Sequence, residues 1–90
     1  MEMYKNEVIN NHGVTVKKDD YWFMHSESEP WLMKIEYIQE NGLVKVKHVN
    51  WKRKGKGFNW SRMVSDFGWI PNLKPCTEDE IKYFDKRWNS

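Results

Sequence analysis

Apolar and polar residues alternate along most of the chain, which is the pattern of β-strands that bury one face. The clearest case is the segment 32–38. Its apolar positions on one face are Met33, Ile35 and Tyr37, and Lys34 and Glu36 fall on the other. Helix is disfavoured here because Ala is absent from the whole chain and β-branched and aromatic residues hold the apolar positions.

A hairpin is predicted directly after this strand. Asn41 and Gly42 form the pair that favours a type I′ turn, in which both central residues have positive φ. The returning strand runs from 43 to 51, but its apolar residues change phase: Val44 and Val46 fall on one face, and Val49 and Trp51 on the other. A bulge or bend near His48 would bring them into phase, and such bends let a small sheet curl.

Further strands are predicted at 14–18, after a turn at 10–13, at 21–24 and at 58–64. In the last of these, Phe58, Trp60, Arg62 and Val64 share one face. Short strands joined by short turns predict a mainly β fold, either a small bent antiparallel sheet or an SH3-like barrel.

The C-terminal segment has a different period. Thr77 and Glu80 match the capping box that begins a helix, and Ile81, Phe84 and Trp88 then recur on one helical face. We expect a short amphipathic helix over about 78–88 that closes one end of the sheet, which makes the class α+β.

Length and cysteine content set the scale of the fold. With 90 residues the chain has room for a single domain, 1–90, with the barrel or sheet over about 14–72. Cys76 is the sole cysteine, so aromatic side chains, including six Trp, must supply the core instead of a disulfide. No segment has the pattern of a signal peptide or a membrane span, which predicts a cytoplasmic protein without membrane contact.

Charge is segregated along the chain although the net charge is only +2. The segment 19–40 carries six carboxylates and one Lys, whereas 41–65 carries seven cations and no acid. Four of those cations lie between two Trp residues. The candidate ligand-binding residues are therefore Trp51, Lys52, Arg53, Lys54, Lys56, Phe58 and Trp60. Cations bind phosphate and rings stack on bases, so this pattern favours an anionic ligand. The alternative is a solvated hairpin tip with Trp51 and Trp60 as core anchors.

Residues for catalysis or metal binding do not form a recognisable pattern. His12, His25 and His48 are scattered, and the stretch 24–30 reads as a solvated loop. We predict no metal, no cofactor and no enzymatic activity. His48 is expected to be a hydrogen-bonded residue of the sheet. A thiol at position 76, just before a helix, has either a lowered pKa or an inert, half-buried environment.

The segments 33–38, 41–42, 44–52 and 59–64 resemble the Tudor and chromo-barrel family, in which a second strand ends in an aromatic residue and a loop leads to another Trp. The resemblance implies a five-stranded barrel whose aromatic rim binds methylated lysine, nucleic acid or a peptide. Asn59 and Ser61 flank Trp60 where that family usually has an acidic residue, which favours an anionic ligand over methylated lysine.

The sequence therefore predicts a small non-enzymatic binding module for an anionic ligand, nucleic acid or a nucleotide. The alternative is a protein-interaction module, such as a phage-encoded inhibitor of a host protein, because the composition is similar to that of small accessory proteins of tailed bacteriophages. A homo-oligomer is also compatible with the high aromatic content.

Overall fold

Strands make up about half of the computed structural model, which describes residues 4–25, 30–52 and 57–89. A 3-10 turn at Val64–Asp66 follows β7. The strands are β1 (Tyr4–Lys5), β2 (Glu7–Ile9), β3 (Thr15–Lys17), β4 (Tyr21–Met24), β5 (Trp31–Gln39), β6 (Leu43–Asn50), β7 (Phe58–Met63) and β8 (Leu73–Pro75), and the helix α1 is Glu78–Trp88. In these ranges no helix is both long enough and apolar enough to span a membrane.

Six strands form one antiparallel sheet in the order β7-β6-β5-β4-β8, with β1 also paired to β5, and β2 and β3 form a separate hairpin. The sheet is bent and open, with β7 and β8 at its edges. The predicted bent sheet is thus confirmed, and the SH3-like barrel is wrong. The physical reason is that the connection 64–72 buries Phe67 against the sheet and leads from one edge strand to the other, so the edges do not pair.

The β5–β6 hairpin is confirmed, but its turn is not type I′. β5 ends at Gln39 and β6 begins at Leu43, which leaves a three-residue loop at 40–42, and the amide of Gly42 donates to the carbonyl of Gln39 at 3.0 Å. Gly42 has φ +89°, whereas Asn41 is not among the described non-glycine residues with positive φ. A single left-handed Gly after a tight turn is the usual three-residue hairpin loop.

The bulge lies in β5 and not near His48. The β5–β6 register shifts between Ile35 and Tyr37, so the strand changes phase there. As a result Ile38 is fully buried in place of Tyr37, which packs half-buried against Tyr4 with the ring centroids 4.7 Å apart. The predicted shared face is therefore wrong at Tyr37.

Two cores on opposite faces of the sheet explain the phase change in β6. On one face Val44 and Val46 belong to the larger core, which is covered by the β2–β3 hairpin and the connection 64–72; we call this the hairpin face. On the other, Val49 packs with Phe84 of α1; we call this the helix face. Residues 44, 46 and 48 therefore face the hairpin side, and residues 45, 47 and 49 face the helix side.

Helix α1 begins and ends as predicted. The Thr77 hydroxyl accepts from the Glu80 amide at 3.3 Å, and the Glu80 carboxylate accepts from the Thr77 amide at 2.8 Å. Phe84 is buried, with Tyr83 and Trp88 packed beside it. The helix covers one face of the sheet, against β5 and β6, and does not close an end.

Candidate nucleic-acid interface

Four of the seven predicted ligand-binding residues lie in the described part of the chain: Trp51, Lys52, Phe58 and Trp60. The other three, Arg53, Lys54 and Lys56, lie outside the described residues. The structure divides the four between two places.

Trp51 belongs to the helix face. Its ring lies 4.6 Å from that of Tyr83 and 5.5 Å from that of Phe23, measured between centroids, and the Tyr83 hydroxyl donates to the Trp51 carbonyl at 3.3 Å. Lys52, the next residue, is exposed, and its amide donates to the Asn50 side chain at 2.9 Å. Trp51 therefore joins the helix to the sheet, although it remains 38% exposed.

Phe58 and Trp60 lie on the hairpin face of the edge strand β7. Phe58 pairs with His48 and Trp60 with Val46 of β6. The His48 ring stacks between two indoles, 5.4 Å from Trp31 and 6.4 Å from Trp60. Phe58 meets the Trp31 ring edge-on at 5.2 Å. The outer rings keep much of their surface in solvent, 57% for Trp60 and 39% for Phe58.

A cavity of about 250 Å³ opens among these rings and also reaches Arg62, two residues beyond Trp60 on the same face. Both polar side chains at this cavity carry a buried nitrogen, Arg62 Nε and His48 Nε2, that has no hydrogen-bond partner among the described residues. Burial, and secondarily the charge of Arg62, lowers the pKa of His48 to about 4, so the imidazole is uncharged at neutral pH. Burial also lowers the pKa of Arg62, and the carboxylate of Asp66 acts against this shift.

A second depression, of about 320 Å³, adjoins Trp60 and is lined by polar groups of β6 and β7. Lys45 Nζ donates to Ser61 Oγ at 2.9 Å there, and Asn59 completes the lining. Lys45, Asn59 and Ser61 face the helix side by alternation, so Trp60 lies between the aromatic cavity on the hairpin face and a cationic, hydroxyl-bearing depression across the edge strand β7. We call the two together the Trp60 surface: Trp31, Lys45, His48, Phe58, Asn59, Trp60, Ser61 and Arg62.

The chemistry of the Trp60 surface suits a planar ligand with acceptor atoms and negative charge. Exposed indole and phenyl faces stack on planar rings, and a lysine beside hydroxyl and amide groups binds phosphate. The guanidinium of Arg62 would repel a methylated lysine, whereas an aromatic cage for such a cation needs the rings without a competing positive charge.

Sequence reasoning predicts Phe58 and Trp60 and misses the other six members of this surface, which are Trp31, Lys45, His48, Asn59, Ser61 and Arg62. Arg62 was placed on the correct face of its strand, but its position beside His48 depends on the β6–β7 register, which alternation alone does not define. The expectation that His48 is hydrogen-bonded in the sheet is wrong for Nε2, which is buried and has no hydrogen-bond partner among the described residues.

The remaining candidates for catalysis or metal binding, Cys76, His25 and the acidic stretch, do not form a second site among the described residues. Burial, with a smaller effect of the Glu80 charge, raises the pKa of Cys76 to about 12, so the lowered pKa considered from its place before α1 is wrong. His25 stacks on Phe23 at 4.0 Å, and residues 26–29 of the acidic stretch lie outside the described residues. Within the described ranges, no three His, Cys, Asp or Glu side chains come together as a metal site.

Comparison of the chain with protein-family models, with curated proteins and with solved structures gave no significant match. The assignment of function therefore depends on the geometry of the Trp60 surface.

Proposed function

We propose that the protein is a non-enzymatic binding module for single-stranded nucleic acid, and that the strand lies across the Trp60 surface. The observation that supports this most is the position of Trp60. It lies on an edge strand, is 57% exposed and borders both the aromatic cavity and the depression at Lys45. A nucleotide strand that crosses the sheet edge at β7 would present a base to the Trp60 ring on one side and a phosphate to Lys45 on the other.

The basic segment adds the electrostatic part of the proposal. Lys52, Arg53, Lys54 and Lys56 precede Gly57 and the two exposed rings of β7 in the chain. Phosphate binding by such cations releases counterions, so affinity falls as salt rises. Stacking on an aromatic ring contributes about 1–3 kcal/mol per base and tolerates any sequence. Trp51 serves to hold α1 in this proposal and does not stack on the ligand.

The test is a titration of a fluorescently labelled 12-nucleotide oligo(dT), followed by anisotropy at several salt concentrations. Replacing Trp60 with Ala is expected to weaken binding by about 1–3 kcal/mol, or roughly 5- to 150-fold. Replacing the four cations with Gln is expected to reduce the slope of log affinity against log salt by about 3, since each phosphate contact on a single strand contributes about 0.7.

Trp69 provides the matched control. It lies in the connection 64–72, outside the Trp60 surface, where it is 70% exposed and stacks on His12. Trp69→Ala should therefore leave the affinity within about twofold of the wild type. Failure to bind oligo(dT) at low salt, an affinity independent of salt, or an equal loss with Trp69→Ala would each overturn the proposal.

A second candidate function is protein binding, and the edge position of β7 favours it. An edge strand offers unpaired backbone groups to an incoming strand, and β7 also exposes Phe58, Trp60 and Met63. A partner bound in this way would be retained after nuclease treatment and at moderate salt. The substitution Ser61→Pro removes a backbone N–H from β7 and would abolish that complex.

A further inference from the structure

We infer that the aromatic cavity of the Trp60 surface is a pocket for one guanine base, whose acceptor edge is read by Arg62 and His48. The inference rests on the proposed binding of single-stranded nucleic acid and adds base selectivity to it.

The first argument is the pair of buried nitrogens without partners. Arg62 and His48 both line this cavity, and each has a buried nitrogen, Nε and Nε2 respectively, without a hydrogen-bond partner among the described residues. Arg62 Nη2 points to Met24 Sδ at 3.8 Å, and a thioether is a weak acceptor. Leaving buried polar groups unpaired is unfavourable, so a ligand that supplies acceptors at this cavity would recover that cost.

The second argument is shape. Three rings, those of Trp31, Phe58 and Trp60, wall the cavity, and its volume is about 250 Å³. Pockets that enclose a whole small-molecule ligand are roughly 300–1,000 Å³. A smaller space suits one planar ring system, which a strand can place against the exposed Trp60 ring while its backbone remains outside.

The third argument is the donor pattern. Guanine presents N7 and O6 as adjacent acceptors, and the planar fork of an arginine donates to both. Adenine replaces O6 with an amino donor, which would oppose the guanidinium. Because burial keeps the ring of His48 uncharged at neutral pH, its Nε2 can donate to the base without adding a second charge beside Arg62.

An acidic peptide is the competing occupant, because a carboxylate also accepts from Arg62. The segment 41–65 favours the base, since its seven cations and absence of acids suit a continuous phosphate backbone. Lys45, across the edge strand β7 from the cavity, adds positive charge that a strand crossing this edge would meet.

The experiment compares labelled oligo(dT) strands that carry one central substitution: dG, dA or 7-deaza-dG, which lacks the N7 acceptor. Anisotropy should show the dG strand binding roughly 5- to 150-fold more tightly than the dA strand, the range given by one bidentate base contact of 1–3 kcal/mol. The 7-deaza strand should lose most of this preference. Since only the nucleic acid changes, this comparison does not depend on the folding of a variant.

Protein variants then locate the selectivity. Arg62→Lys keeps the charge and loses the fork, so the ratio of its affinity for the dG strand to its affinity for oligo(dT) should fall to below about twofold. Lys74→Gln removes an exposed cation from the opposite edge strand β8 and should retain the full preference.

Each outcome separates this inference from the proposed function. Equal affinity for all substituted strands, or a preference that Arg62→Lys leaves intact, overturns the guanine pocket while oligo(dT) binding still supports the module. Absence of binding to every strand overturns both. Trp60-dependent binding of a poly(Glu,Trp) peptide in place of any strand would make the cavity a peptide site and overturn the guanine pocket.

Discussion

The rings of Trp51 and Trp60 lie on opposite faces of the β-sheet. Trp51 packs against Tyr83 of α1 and against Phe23, whereas Trp60 stacks beside His48 on the hairpin face. The two indoles therefore have separate roles: one holds the helix to the sheet, and the other contributes to the Trp60 surface. Substitutions at the two positions should separate stability from binding.

We predict that Trp51→Ala lowers the free energy of unfolding by about 2 kcal/mol, below the 3–5 kcal/mol of a fully buried Trp because part of the ring is in solvent. Trp60→Ala should lower it by less than about 1 kcal/mol, since the side chain is mostly exposed. Urea unfolding followed by circular dichroism measures both changes.

The same pair of variants should show the reverse order in oligo(dT) binding. Trp60→Ala weakens binding, and Trp51→Ala retains wild-type affinity at temperatures where it is folded. Equal stability losses at the two positions, or a binding loss confined to Trp51→Ala, would contradict the division of roles.

Alternation and capping were sufficient to predict the β5–β6 hairpin and α1, because both depend on neighbours in the chain. The bulge in β5 could not be predicted in that way. It exists because Ile38 must reach the core opposite Val44, a requirement set by the β2–β3 hairpin and Phe67, which are distant in sequence. The phase change in β6 was visible in the sequence, but its cause, two cores on two faces, was not.

Only two of the eight residues of the Trp60 surface are predicted from the sequence, because strand pairing brings the others to it. Phe58 and Trp60 stand out in the sequence as aromatic residues directly after a basic segment, but their exposure is not predictable from it. His48 and Trp31 meet them only through strand pairing, since His48 lies opposite Phe58 and Trp31 lies one strand further into the sheet. Conversely, the sequence groups Trp51 with Trp60 because both flank the basic segment. Trp51 nevertheless packs on the helix face, whereas His48 and Trp60 lie on the hairpin face.

A buried amide, Asn10, is predicted to be among the most sensitive positions in the fold. Its Nδ2 donates to the carbonyls of Val64 and Phe67 at 2.8 and 2.6 Å, and its Oδ1 accepts from the amides of His12 and Val14. Asn10→Ala leaves these groups without their partner inside the protein and should cost about 2–4 kcal/mol, since each unpaired buried group costs about 1–3 kcal/mol.

Asn11 lies in the same turn, is exposed and provides the control: Asn11→Ala should change the free energy of unfolding by less than about 0.5 kcal/mol. Urea unfolding at neutral pH measures both variants. A loss at Asn10 no larger than at Asn11 would mean that the amide does not tie the β2–β3 hairpin to the connection 64–72.

Acid should destabilise the protein through His48. Its side chain is 3% exposed, and its pKa falls from 6.5 in the unfolded chain to about 4 in the fold. Between these values the unfolded state binds more protons, so the free energy of unfolding decreases as pH falls from 6.5 to 4. The full shift corresponds to about 3 kcal/mol, and part of it is offset at the acid end by Asp20, whose pKa burial raises.

The measurement is the urea midpoint at intervals between pH 7 and pH 4. His48→Gln should flatten the plot of urea midpoint against pH in this window. His12→Gln, which changes an exposed histidine, should leave the slope of that plot as it is in the wild type. A wild-type curve that is flat from pH 6.5 to 4.5, or an equal flattening by both variants, would contradict the role of His48.

The thiol of Cys76 should be nearly inert in the folded protein. Burial raises its pKa from 9.0 to about 12, with a smaller contribution from the Glu80 carboxylate, so at pH 8 the folded state holds about a thousandfold less thiolate than the unfolded chain. Reaction with a disulfide reagent should therefore be slow in buffer and fast in urea.

Glu80→Gln keeps an oxygen acceptor for the Thr77 amide but removes the charge, so it should accelerate the reaction of the folded protein without unfolding α1. A folded-state rate equal to the rate in urea would place the thiol in solvent and contradict its burial beneath the start of the helix.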